Sequence, residues 1–419
     1  MDVVIGGSTM VTSGRPALGA GLITTLAISV AAPVIGAFDA VEPNPLRSGS
    51  TIRLADVAAF GDDAAVGWRE GKNPGNLVMA LSTNRGASFE RANGSLRSFP
   101  VAGLGRIGMS IDICGGSVWM ATAARFPGDA EKDSDVLISR RGVNGGASQV
   151  FVTAPAASRK IRAVDIACVG SRLLAIAWIE HTGDTSRARL LLRDLPALAP
   201  SAGGAASRVG PSATNSLHNL GPAGPKDGIA VTSVRGDVLV AWSNGDRKNL
   251  RLKRFDLGSG ADPTIQPERT RKIASRDAIL PKLAARGRKV VLAYTDDGRV
   301  KVRTSDDAGD SFSKATTLIS AGTVKVPSRA TSAALSGKRI VIETFRKLPK
   351  GEDRTHAPVR LESTNHGKDW SQSAQFGNRG PRMAALRKVN NSVSRIIEAW
   401  HDDGSSADVL RAQREVAGG

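Results

Sequence analysis

Ser363-Thr364-Asn365-His366-Gly367-Lys368-Asp369-Trp370 repeats a pattern found twice upstream, as Ser82-Thr83-Asn84-Arg85-Gly86-Ala87-Ser88-Phe89 and Ser305-Asp306-Asp307-Ala308-Gly309-Asp310-Ser311-Phe312. Each copy reads Ser, any residue, Asn or Asp, any, Gly, any, a small polar residue or Asp, then an aromatic. Each also follows a short apolar-rich run: Leu77 to Leu81, Val300 to Thr304 or Val359 to Glu362. The composition describes a hairpin. The Asn or Asp side chain bonds its own backbone two residues on, the Gly supplies a positive φ, and the aromatic tucks beneath.

Working outward, a Gly turn between strand-like runs recurs at Gly61, Gly116, Gly170, Gly236, Gly287 and Gly337, with Asn390 in the equivalent place near the end. An apolar run follows each: Ala64 to Trp68, Leu173 to Trp178, Val238 to Trp242, Lys289 to Tyr294, Ile340 to Thr344 and Arg395 to Trp400 are examples. Short runs, Gly punctuation and no sustained helical period predict an all-β chain. Recurrence every fifty or so residues predicts repeated four-stranded units.

The eight-residue pattern resembles the Asp box, or bacterial neuraminidase repeat, of sialidase-like β-propellers, although two copies carry Asn for Asp and two carry Phe for Trp. The resemblance implies a single propeller over residues 38–419, most simply of seven four-stranded blades, with six as the alternative. It places the boxes away from the binding face, so they identify a fold and no chemistry. The last unit ends after its third strand, which makes Val41 to Ser50 the candidate for a closing outer strand. Residues 197–227, rich in Pro, Gly, Ala and Ser, read as a long loop.

The chain has 419 residues, with 57 Lys plus Arg against 39 Asp plus Glu, a formal net charge of +18. Such a surplus favours polyanionic partners or a solvated basic surface. Arg15 followed by the uncharged run Pro16 to Phe38 reads as a secretory signal ending near Ala37, or as an uncleaved anchor within residues 17–37. The expectation is therefore a secreted or extracytoplasmic monomer, with no membrane contact beyond that segment. Cys114 and Cys168 share the frame Cys, any, Gly, Ser and fit either a disulfide between neighbouring units or two buried thiols. The five scattered His give no zinc spacing, no cofactor is implied, and nothing points to a specific nucleic acid. Gly103-Leu104-Gly105-Arg106-Ile107-Gly108 spells a dinucleotide fingerprint but precedes a strand-like run, so it offers a pyrophosphate no helix N-terminus.

Candidate chemistry lies at the start of the inner strands. Arg53, Arg162, Arg329 and Arg382 fall in one register upstream of the Gly turn, with Arg106, Lys226 and Arg276 close by in the other units. Two units share more, Ile52-Arg53-Leu54-Ala55-Asp56 and Ile161-Arg162-Ala163-Val164-Asp165. The second strands end on the same face with Trp68-Arg69-Glu70, Trp178-Ile179-Glu180-His181, Tyr294-Thr295-Asp296-Asp297 and Trp400-His401-Asp402-Asp403, which are expected to rim the Arg ring. The Trp side chains themselves are expected mainly to pack between units. Two readings stay open: Arg53, Arg106, Arg162, Arg329 and Arg382 with Asp56, Asp165, Glu70 and Glu180 bind an anionic glycan or cell-surface polymer, or each Arg pairs with an Asp as a structural rivet. Resemblance to sialidases implies three inner-strand Arg holding a substrate carboxylate, and a Tyr nucleophile with a Glu partner and an Asp acid/base. Tyr294 is the one tyrosine and stands at the end of a second strand, out of place for that role. The catalytic residues are therefore unassigned, and a sialidase-like glycosidase or lyase and a protein-binding scaffold are the alternatives to a binder.

Overall fold

The computed structural model describes residues 44–48, 52–70, 76–91, 109–124, 134–144, 149–152, 160–171, 173–195, 207–208, 215–224, 228–245, 249–257, 266–267, 270–274, 278–320, 332–347, 356–373, 384–389, 395–403 and 408–414. The chain divides into two units, Met1–Ile35, outside the described residues, and Gly36–Gly419. The second unit is an all-β propeller. Its described strands form seven sheets, each built mainly from consecutive antiparallel strands.

Six sheets begin with the inner strands Ile52–Phe60, Met109–Cys114, Lys160–Val169, Ile229–Val234, Ala278–Arg286 and Ser332–Ser336, and the last with Ala384–Val389. Each inner strand touches those of the sheets before and after it, and Ala384–Val389 touches Ile52–Phe60. The last sheet takes its outermost strand from the other end of the chain: Asn44–Ser48 pairs antiparallel with Asp408–Arg414, Asn44 opposite Ala412 and Ser48 opposite Val409.

The sheets stack face to face, so a strand in mid-sheet has neighbours on both faces. All eight residues of Ser117–Ala124 are buried, as are Leu174 to Glu180 and Val238 to Ser243. That explains the unbroken apolar runs, since alternation appears only where one face meets water. Hydrophobic clusters lie between neighbouring sheets, and Trp68, Trp119, Trp178 and Trp242 are all at most 2% exposed. Trp178 therefore packs between the second and third sheets, and Trp68, fully buried, likewise does not rim a binding face.

The Gly turns have one physical cause. Gly61, Gly116, Gly170, Gly236, Gly287 and Gly337 all have φ between +56° and +93°, a backbone region that a Cβ disfavours. Asn390 lies outside the described residues. The three Ser-x-Asn/Asp-x-Gly turns close the third-to-fourth strand hairpins by local hydrogen bonds. The first Ser Oγ accepts from the Gly N–H in each (Gly86 to Ser82, 2.8 Å; Gly309 to Ser305, 2.8 Å; Gly367 to Ser363, 2.7 Å). The Asn or Asp oxygen accepts from the N–H of the small polar or Asp residue (Ser88, 3.0 Å; Ser311, 2.9 Å; Asp369, 2.9 Å). Each hairpin also docks on the Gly turn of its own sheet, because Arg85, Ala308 and His366 N–H donate to the carbonyls of Asp62, Arg288 and Lys338.

Burial raises the Asp307 carboxyl pKa, but hydrogen bonds from Ser311 and Ser305 outweigh it and bring the group down to about 2. A depressed folded value means that the stabilisation is present above the ordinary carboxylate range and is lost as pH falls toward 2. Asn84 performs the same turn with its Nδ2 donating to Ser88 Oγ at 2.8 Å. Asp307→Asn should therefore fold normally, and its melting temperature should drop less than the parent's between pH 4 and pH 2. Thermal melts across that range check this, and a gap between the two proteins that does not change with pH contradicts it.

Residues 197–227 correct the sequence reading. Within the expected loop, Ser207–Arg208 pairs parallel to Gln149–Val152, and Asn215–Pro222 is the outermost strand of the third sheet, antiparallel to Thr185–Asp194. An outermost strand has a partner on one edge only, so it tolerates Asn, His, Gly and Pro and lacks the apolar run by which inner strands are recognised.

Candidate functional site

An inner strand pairs with its second strand on one edge, and its other edge leaves backbone N–H groups without ladder partners. Aspartates of the preceding inner strand fill that gap. Asp56 Oδ2 accepts from Ile111 N–H at 3.0 Å, Asp112 Oδ2 from Cys168 N–H at 2.8 Å, and Asp165 Oδ2 from Val231 N–H at 2.8 Å. Each carboxylate's other oxygen accepts from the N–H of the next residue, Val57 at 2.9 Å and Ile113 and Ile166 at 3.0 Å. Asp165 Oδ1 also accepts from Ser110 Oγ at 2.6 Å. Asp56 and Asp165 thus act as latches onto neighbouring backbone, a role that the Arg–Asp rivet misassigned for Asp165. Asp112 was missed, because its place relative to Gly116 is one residue off that of Asp56 and Asp165. The signal for it was there in Asp112-Ile113, an Asp followed by a β-branched apolar residue in mid-strand, as in Asp56-Val57 and Asp165-Ile166.

The latches also fix direction. Asp56 and Ile111 stand at equal distances before Gly61 and Gly116, and Asp165 and Val231 at equal distances before Gly170 and Gly236. The disulfide Cys114–Cys168, Cα–Cα 5.9 Å, joins positions equally far before Gly116 and Gly170. These inner strands run the same way in register, so their Gly turns lie on one face, here called lower, and their first residues on the opposite, upper face.

Arg162 stands at the upper end of its strand, where the register slips. Ile161 faces Glu180 and Ala163 faces Ile179, so Arg162 is the extra residue of a β-bulge. A bulge re-aims the side chain it carries. Arg162 Nε is buried and has no hydrogen-bond partner among the described residues. In the first sheet the register slips one residue later, after Arg53, which is paired with Arg69 across the strands. Two cationic positions opposite each other are unfavourable unless an anion or acid lies near.

Glu180 is 8% exposed and is held by Arg189, whose Nε donates to Oε1 at 2.7 Å, and by Trp178 Nε1 at 3.4 Å. It closes the upper end of the third sheet as a partly buried ion pair. The side chains of Arg53 and Glu70 are outside the described residues, although both positions lie in strands, and Arg106, Lys226, Arg276, Arg329 and Arg382 are outside altogether. The structure therefore brings Arg162, Asp165 and Glu180 to one strand pair. Arg162 is the one of these three with a donor to spare.

Tyr294 is 1% exposed and packs in the cluster between the fourth and fifth sheets, its hydroxyl accepting from Arg303 Nε at 3.4 Å. A side chain enclosed in that way cannot meet a glycoside. Among the described residues no group of three His, Cys, Asp or Glu is placed to hold a metal ion.

No family description matches the chain, and no curated protein is similar to it in sequence. Solved structures are similar to it in fold. A Trypanosoma rangeli sialidase in complex with the inhibitor DANA is 10% identical, with TM-score 0.44 over 87% of this chain and 59% of that one. The phage phi92 endosialidase is 10% identical, with TM-score 0.45 over 92% of this chain and 70% of that one. A prolyl endopeptidase is also 10% identical, with TM-score 0.50 over 88% of this chain and 47% of that one. The chain thus spans between about half and seven tenths of the length of these proteins, and at such identity the likeness is one of fold alone.

Proposed function

We propose that the seven sheets form one closed ring of seven blades, exported from the cell, whose upper face binds an anionic ligand such as an acidic glycan or cell-surface polymer. On this reading the Ser-x-Asn/Asp-x-Gly turns are Asp boxes on the lower face and take no part in binding. The observation that supports it is Arg162, a bulged residue with a buried Nε and no partner among the described residues. Arg suits this task because its planar fork matches carboxylate, sulfate or phosphate. Arg53, Arg329 and Arg382 share its register in the sequence and would extend the same surface.

A glycan array combined with a hydrolysis screen on acidic sugars tests the reading. Retention without turnover supports a binder, turnover supports a glycosidase or lyase, and silence in both supports a scaffold. Arg162→Ala should weaken binding to retained anionic glycans about tenfold or more, since a partly desolvated Arg–anion contact contributes about 1.5–3 kcal/mol. The exposed Lys272→Ala should change binding less than threefold, because a screened surface charge contributes about 0–1 kcal/mol. Without ligand the Arg162→Ala protein should melt no lower than the parent, as no described partner is lost. Unchanged binding together with a lower melting temperature would make Arg162 structural and remove the proposal's support.

A further inference from the structure

The lower face has a character of its own. Arg235, Arg288 and Lys338 are exposed on the Gly turns of three successive sheets, and Lys368 is exposed on the hairpin that docks beside Lys338. Several acids around them are engaged, and Asp369 beside Lys368 accepts from Asn365 Nδ2 at 2.6 Å. Asp62 holds Arg85 at 2.6 Å, Asp237 and Asp310 both hold Arg254, and Asp306 lies 3.1 Å from His366 and 3.6 Å from Lys289. Among the described residues Arg235, Arg288, Lys338 and Lys368 make no ion pair. The Gly turn of the first sheet adds Phe60, 65% exposed, a large apolar side chain left in water on the same face.

We propose that the lower face docks on an anionic phospholipid bilayer, with Phe60 inserted at the headgroup boundary and Arg235, Arg288, Lys338 and Lys368 lying over the anionic headgroups. Cations on three successive sheets, with an exposed aromatic on the first sheet of the same face, match a flat charged surface with an apolar layer just beneath. A soluble polyanion would use the cations and leave Phe60 without a role. The inference does not depend on the ligand of the upper face, which docking would leave turned away from the membrane.

The test compares the full chain on phosphatidylcholine vesicles with and without phosphatidylglycerol. The N-terminal run contributes similarly to both, so the ratio of the two affinities reports the lower face. For the parent that ratio should exceed about a hundred at low salt and shrink as salt rises, each cation contributing about fivefold. The combined variant Arg235→Glu, Arg288→Glu, Lys338→Glu should bring it close to one while melting like the parent. Should that variant fold poorly, the single changes Arg235→Gln, Arg288→Gln and Lys338→Gln should each lower the ratio about fivefold. Phe60→Ser should weaken binding to the anionic vesicles and leave binding to dextran sulfate unchanged. A ratio near one for the parent, a ratio that survives the charge changes, or tight binding to dextran sulfate with none to anionic vesicles overturns the proposal.

Discussion

Replacing Asp165 by Ala should cost roughly 3–5 kcal/mol of folding stability, because one truncation strands donors on three strands at once. Val231 N–H, Ile166 N–H and Ser110 Oγ all donate to this carboxylate, at 2.8, 3.0 and 2.6 Å. Their acceptor is charged, and the two backbone donors sit where no ladder partner exists. Asp165→Asn should fall between Ala and the parent, since an amide offers one acceptor oxygen where the site uses two. Asp184, exposed in the tight turn before Thr185, serves as the comparison, and Asp184→Ala should change stability by less than about 0.5 kcal/mol. Urea unfolding of the three variants measures the differences. A loss below about 1 kcal/mol for Asp165→Ala would mean that water replaces the carboxylate, and the latch would then be incidental.

Removing the disulfide should have an effect of similar size for a different reason. Cys114 and Cys168 are 54 residues apart in sequence, and closing a loop of that length restricts the unfolded chain by about 4 kcal/mol in the chain-entropy account. The double variant Cys114→Ala, Cys168→Ala should therefore unfold at lower urea than the parent, and the parent under reducing conditions should approach it. The bond crosses the seam that Asp112 also bridges through Cys168 N–H, so the two contributions share neighbours. Losses from Asp112→Ala and from the cysteine changes should combine non-additively, with a coupling of about 0.5–3 kcal/mol. Equal urea midpoints with and without reductant would show that the latches alone hold the second and third sheets together.

Both predictions concern the seam between inner strands, and that seam positions the upper face. Arg162 sits on the strand that Asp165 and Cys168 fasten to its neighbours. Loosening the seam should therefore also blur any anion site that Arg162 helps to form, whereas Arg162→Ala should leave the seam intact. Measuring binding and stability on the same variants separates the two roles.

The parts of this protein legible in its sequence are those made by neighbours along the chain. The turn at Ser82, Asn84, Gly86 and Ser88 closes on itself within four residues, so its hydrogen bonds are written in residue order. The Gly turns need a positive φ at one position, and the buried second strands need unbroken apolar runs, so both leave a local record. Closure by Asn44–Ser48 could be inferred because the last unit was short of a strand. What only the tertiary structure decided involves partners far apart. Asp56 reaches Ile111 and Asp165 reaches Val231, and nothing local to either Asp says whether it will meet an arginine, a ligand or a neighbour's backbone. The bulge that singles out Arg162 depends on a slip of register between two strands, and Arg53 in the matching sequence slips one residue later. Asn215–Pro222 has no strand-like composition and becomes a strand because Thr185–Asp194 offers it a free edge. Local hydrogen bonds and backbone sterics act within a few residues and so mark the sequence directly. Edge pairing, latching and register are settled only when separate sheets meet, because the unsatisfied backbone groups that drive them exist only once the sheets have formed.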